Sequence, residues 1–108
     1  MLIELTENTF NEQIWSGITL VDFYGSNCGP CKILGKLMPH IAKKYEWSAD
    51  VALVNSAQNF SLAAQYGIHA VPTVLLFKDG VELTRLKWLH PPETYKELME
   101  RITSSTSE

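Results

Sequence analysis

The sequence predicts an α/β domain built on a mixed β-sheet with helices on both faces. Short apolar runs alternate with segments of helical period along the chain. Lys78-Asp79-Gly80 followed by an alternating segment marks a hairpin after the parallel crossovers. The 108 residues, 45% of them hydrophobic and 19% charged, make one ordinary globular domain. A chain of that size buries about two-thirds of its surface on folding, enough for one core without staples.

Each element has its own warrant. Leu2–Leu5 is a short apolar first strand. Asn8–Ser16 reads as a helix, with Phe10 and Ile14 on one face and Gly17 as the stop. Ile18–Tyr24 is apolar except for Thr19 and Asp22, which suits a strand buried on both faces. Cys31–Tyr45 returns to helical period through Leu34, Leu37, Met38, Ile41 and Ala42, and Pro39 inside it predicts a bend near Gly35–Pro39. Val51–Val54 is a second buried strand. Asn59 is placed to cap a short helix ending at Tyr66-Gly67. Thr73–Phe77 is a third buried strand, and Val81–Lys87 is its antiparallel return. Glu93–Ile102 is the last helix, with Tyr95, Leu98, Met99 and Ile102 on one face and Pro91-Pro92 fixing its start. Thr103–Glu108 is expected to be a polar, frayed tail. Trp15 and Trp47 are expected to pack inside.

A net charge of −3 gives no general attraction to nucleic acid or anionic membrane. No apolar run is long enough to span a bilayer. Met1–Leu5 lacks the basic and apolar regions of a secretion signal, so the expectation is a cytoplasmic protein.

Two cysteines, Cys28 and Cys31, are too few for a disulfide scaffold. They flank Gly29-Pro30 where a strand gives way to a helix. Free N–H groups and the positive dipole end at a helix start favour a thiolate. Pro30 in the first turn sacrifices no helix bond. The spacing puts both sulfurs on one side of that turn, so a disulfide can open and close with little movement. A zinc site and a purely structural disulfide are the competing readings. The first needs about four ligands, and His40, His69 and His90 form no ligand-spaced pair. The second closes a loop too short to stabilise by more than roughly 2 kcal/mol. The chemistry favours a redox pair.

With that pair in view, the chain resembles the thioredoxin family. The resemblance is carried by Val21-Asp22-Phe23-Tyr24 leading into Cys28-Gly29-Pro30-Cys31-Lys32, then Ala64-Gln65-Tyr66-Gly67-Ile68, Val71-Pro72-Thr73 and Leu76-Phe77-Lys78-Asp79-Gly80. It implies a thioredoxin fold over residues 1–102: a central five-stranded mixed sheet in order 1-3-2-4-5, flanked by four helices. It also implies a protein-disulfide reductant in which Cys28 attacks a target disulfide and Cys31 resolves the mixed disulfide, supported by Gly29 and Pro30. Asp22 would be a buried acid that handles the proton of Cys31. Val71-Pro72 would be a cis peptide beside the disulfide, with the Val71 backbone available to an incoming peptide. The implied partners are disulfide-containing target proteins and a flavoprotein thioredoxin reductase, with the chain monomeric and using neither cofactor nor metal.

The sequence departs from the family in four places. The family's usual helix proline would fall at Lys36, whereas here it is Pro39, so the bend is expected nearly one turn later. Leu53 stands where a lysine often neighbours the buried acid, which implies a more apolar setting and a higher pKa for Asp22. Asn27 replaces a tryptophan before the first cysteine. Trp88 replaces a glycine at the disulfide rim, so Asn27 and Trp88 are expected to narrow the partner range. His40, His69 and His90 are expected to be solvated. Two other functions fit the fold: a binding module with incidental cysteines, and a disulfide oxidant or isomerase. The intact Cys-Gly-Pro-Cys with Asp22 speaks against the first. Pro30 between the cysteines speaks against the second.

Overall fold

The computed structural model describes residues 1–105. The order is β1 (Leu2–Leu5), α1 (Phe10–Ile14), β2 (Ile18–Tyr24), α2 (Gly29–Lys44), β3 (Asp50–Asn55), α3 (Phe60–Gln65), β4 (Thr73–Lys78), β5 (Val81–Lys87) and α4 (Pro92–Ser105). The strands form one sheet in the order β1-β3-β2-β4-β5. β1, β3 and β2 run parallel, while β4 is antiparallel to β2 and β5 to β4.

Central β2 is buried on both sides, which is why it reads as a nearly unbroken apolar run. On one face Ile18, Leu20, Val51, Val74 and Leu76 pack under Leu34, Met38 and Ile41 of α2 and Tyr95 and Met99 of α4. On the other, Val21, Phe23, Ala52, Val54, Leu75 and Phe77 pack under Phe10 and Ile14 of α1 and Leu62 of α3. Phe10 meets the ring of Phe77 edge-on, 5.7 Å between centroids.

Asp79 and Gly80 both have positive φ, 50° and 83°, as a two-residue hairpin turn requires. The Asp79 carboxylate accepts the Gly17 N–H at 2.7 Å, tying this hairpin to the α1–β2 turn.

Several expectations are corrected. Trp15 and Trp47 do not pack inside: they are 77% and 94% exposed. Helix α1 has five residues rather than the nine from Asn8 to Ser16, its buried residues are Phe10 and Ile14, and Trp15 falls at its C-terminal end. Trp47 falls in the turn after α2. Asn59 precedes α3 without capping it through its side chain. Its amide instead donates to the Asn55 carbonyl and its oxygen accepts the Glu7 N–H, both at 3.0 Å. The first turn of α3 is met from β1's end, where the Glu7 carboxylate accepts the Ser61 N–H at 3.1 Å. Helix α2 begins at Gly29, earlier than expected, and runs through Pro39 to Lys44. Helix α4 continues past Ile102 to Ser105, helped by the Thr103 hydroxyl donating to the Met99 carbonyl at 2.7 Å. The expected tail therefore loses 103–105 to the helix, and its remainder, 106–108, lies outside the described residues. His90 is not simply solvated: its Nε2 lies 3.0 Å from the Lys87 carbonyl and its ring stands edge-on to Tyr95.

Candidate active site

Cys28 is the N-cap of α2 and Cys31 lies in the first turn. Their Cα atoms are 5.2 Å apart and the two sulfurs form a disulfide. The Cys28 backbone is extended (φ −116°, ψ 106°), so the chain arrives as a strand-like segment and its side chain folds back over the helix start. Its Sγ accepts the Cys31 backbone N–H at 3.2 Å, in the manner of a capping oxygen. When the disulfide opens, the same N–H and the helix dipole favour the Cys28 thiolate. The two sulfurs differ in access: Cys28 is part-exposed and Cys31 is 4% exposed. Only Cys28 is open to a bulky incoming disulfide.

Beside the pair lies the 66–72 loop. The Val71–Pro72 peptide is cis, as expected. The Val71 carbonyl oxygen is 3.8 Å from Cys28 Sγ. This close approach depends on Gly25, where a Cβ would sit 3.0 Å from Val71 Cγ2. The loop is held from its far side by the Trp88 N–H, which donates to the Pro72 carbonyl at 2.9 Å.

Asp22 faces the α2 side of the sheet and is 1% exposed. Burial, reinforced by the charge of Glu4, pushes its carboxyl up to about 7 from an ordinary 3.8. Its Oδ1 has no hydrogen-bond partner among the described residues. Asp22 and Cys31 line one cavity of about 290 Å³, together with Tyr24, Asn27, Lys32 and Leu53. The sheet register explains the apolar setting. Asp22 pairs with Leu53 on β3, and Leu53 pairs with Glu4 on β1, so an aliphatic side chain separates two acids in one row. Nothing local in the sequence singles out Glu4, because only the strand pairing puts it in that row. The Tyr24 hydroxyl, from a residue that also lines the cavity, donates to Glu4 at 3.0 Å.

Asn27, which precedes Cys28, and Trp88, which follows β5, both have positive φ, 53° and 69°. Asparagine tolerates this left-handed region and tryptophan does so only under strain. Trp88 is 55% exposed, so it does not turn into the core, and its backbone bond to Pro72 sets it next to the cis-proline loop. His40 and His69 are exposed. Among the described residues no group of three or more His, Cys, Asp or Glu side chains is placed to hold a metal ion. No helix among them is long and apolar enough to cross a membrane.

The family model named Thioredoxin matches residues 1–103. The chain is 32% identical over 100 residues to a protein named Thioredoxin from Staphylococcus haemolyticus (strain JCSC1435), covering 93% of this chain and 96% of that one. It matches Thioredoxin from Staphylococcus aureus strains Mu50 and N315 with the same identity and coverage. A five-stranded mixed sheet in this order, a Cys-Gly-Pro-Cys disulfide capping α2 and a match over nearly the full length agree: the chain belongs to the thioredoxin family, and its redox-active pair is Cys28–Cys31.

Proposed function

We propose that the chain is a cytoplasmic protein-disulfide reductant that carries electrons from a flavoprotein thioredoxin reductase to a restricted set of disulfide-bearing proteins. The observation that carries this reading is the asymmetry of the pair, an accessible Cys28 on a helix start and a sheltered Cys31 sharing a cavity with a buried acid.

In the dithiol form, the Cys28 thiolate attacks one sulfur of the target disulfide and expels the other as a thiolate. A mixed disulfide now joins Cys28 to the target. Cys31 passes its proton to the Asp22 carboxylate and attacks Cys28 Sγ. The Cys28–target bond breaks, the second target sulfur leaves as a thiolate and takes up a proton, and the Cys28–Cys31 disulfide forms. Two electrons have moved from the pair to the target. A carboxyl at about 7 is well matched to this task, since near neutral pH it exists in both proton-accepting and proton-releasing forms. The Val71 backbone, 3.8 Å from the reacting sulfur at its carbonyl, offers an extended peptide main-chain contacts that do not depend on its side chains. Trp88 acts in the opposite sense, since an exposed aromatic on this rim excludes targets that need a flat surface.

A glutathione redox titration tests the reading. A midpoint near −270 mV, the value of thioredoxin itself, is expected; one near −120 to −180 mV would assign the chain to disulfide formation or isomerisation.

A further inference from the structure

The charge on this molecule is unevenly placed. Of nine Lys and Arg residues in a chain with twelve acids, four lie on α2: Lys32, Lys36, Lys43 and Lys44. No acidic residue occurs between Phe23 and Tyr45. All four lysines and His40 are exposed. None of these lysines makes a salt bridge among the described residues, whereas Arg85 is paired with Glu82. Lys44 is occupied differently, lying 5.5 Å from the centre of the Tyr45 ring. At 3.6 residues per turn, Lys32, Lys36 and Lys43 fall within about 40° of one another on the helix and span roughly 16 Å along it. The stripe begins beside the reacting pair, since Lys32 lines the same cavity as Cys31.

We propose that this stripe is an electrostatic docking surface for an extended acidic segment of a protein partner, laid along α2 while the partner's disulfide meets Cys28. The inference rests on the disulfide-exchange reading above and adds to it the chemistry of the partner. Charge complementarity selects an acidic occupant, because none of the three lysines is ion-paired among the described residues and no acid lies on the helix that carries them. The geometry selects an extended one. Lys32 and Lys36 are separated by about 6 Å along the helix. Acids at alternate positions of a strand, which point to one side, are separated by about 6.6 Å. Five extended residues therefore span the stripe. Nucleic acid is the poorer fit, because the remaining surface of a net-acidic chain repels a polyanion.

The test uses the full chain in its reduced form and three synthetic peptides. Each carries one disulfide and an arm of about five residues with Glu, Gln or Lys at alternate positions. At low ionic strength the Glu peptide should be reduced with a kcat/KM about tenfold above the Lys peptide, with the Gln peptide between them, and the spread should collapse at high salt. The K32E/K36E/K43E variant should reverse the order, and K36Q/K43Q, which leaves the cavity-lining Lys32 in place, should narrow the Glu-to-Lys spread while keeping the Gln-peptide rate; an undiminished spread in K36Q/K43Q would overturn the proposal. Equal rates for the three peptides would overturn the docking proposal and leave the reductant reading standing. Failure to reduce even the Gln peptide would overturn both. Tighter binding of a DNA oligonucleotide than of the Glu peptide, read by fluorescence anisotropy, would also overturn the proposal and assign the stripe to nucleic acid.

Discussion

Replacing Asp22 by asparagine should stabilise the oxidised protein at neutral pH and remove a specific pH dependence. The unfolded carboxyl titrates near 3.9, while the folded one is pushed up to about 7 by burial and by Glu4. The folded state thus binds the proton more tightly, and stability falls as pH rises from about 4 through about 7. A difference of roughly three pH units corresponds to about 4 kcal/mol once the pH is above both values. Between pH 5 and pH 8, this group alone should lower wild-type stability by about 2–3 kcal/mol. The asparagine side chain would carry no charge, but its buried amide lacks partners at a site where the Asp22 Oδ1 already has none, which returns about 1–3 kcal/mol. The net gain at pH 7 is therefore about 1–3 kcal/mol. Urea unfolding of both oxidised proteins at several pH values checks this, because His40, His69 and His90 are common to the two and cancel in the difference. Parallel stability curves from pH 5 to pH 8 would refute the reasoning.

The same substitution should slow the resolving step, with mixed-disulfide release falling most above pH 7, where the wild-type carboxylate is ionised; stopped-flow tryptophan fluorescence follows it. Glu4→Gln should lower the Asp22 pKa, moving the midpoint of the pH–rate profile downward, since one of the two influences raising it is removed; an unmoved midpoint would contradict the row of Glu4, Leu53 and Asp22. Cys31→Ser should accumulate a stable mixed disulfide with a target on non-reducing gels, while Cys28→Ser should form none. Trp88→Gly should leave stability within about 1 kcal/mol of wild type, because relief of the left-handed backbone offsets the added chain entropy, and it should raise kcat/KM with a heterologous thioredoxin reductase. Asn27→Trp should destabilise by about 1–2 kcal/mol by forcing a bulky residue into that same region, read from urea midpoints.

Residue patterns alone reached a long way here. The alternation of buried runs and helical segments located every element, because burial on both faces of a parallel sheet leaves uninterrupted apolar strands. Asp79-Gly80 identified the hairpin through its need for positive φ. Cys28-Gly29-Pro30-Cys31 identified the redox pair, because its chemistry needs only a helix start and one turn of spacing. What lay beyond reach depended on contacts distant in sequence. Glu7 meets the first turn of α3 across 54 residues, so no local motif announces it. Glu4 enters the neighbourhood of Asp22 only through the β1–β3–β2 register, and a strand's side-chain period of two says nothing about which residue lies opposite. Trp15 and Trp47 looked like core residues because tryptophan is largely apolar, yet a five-residue helix and a turn gave neither a surface to cover. Trp88 shows the division within one residue: its departure from the family is visible in the sequence, but its left-handed backbone, its exposure and its tie to the Pro72 carbonyl are tertiary facts, since Pro72 lies 16 residues away in the chain.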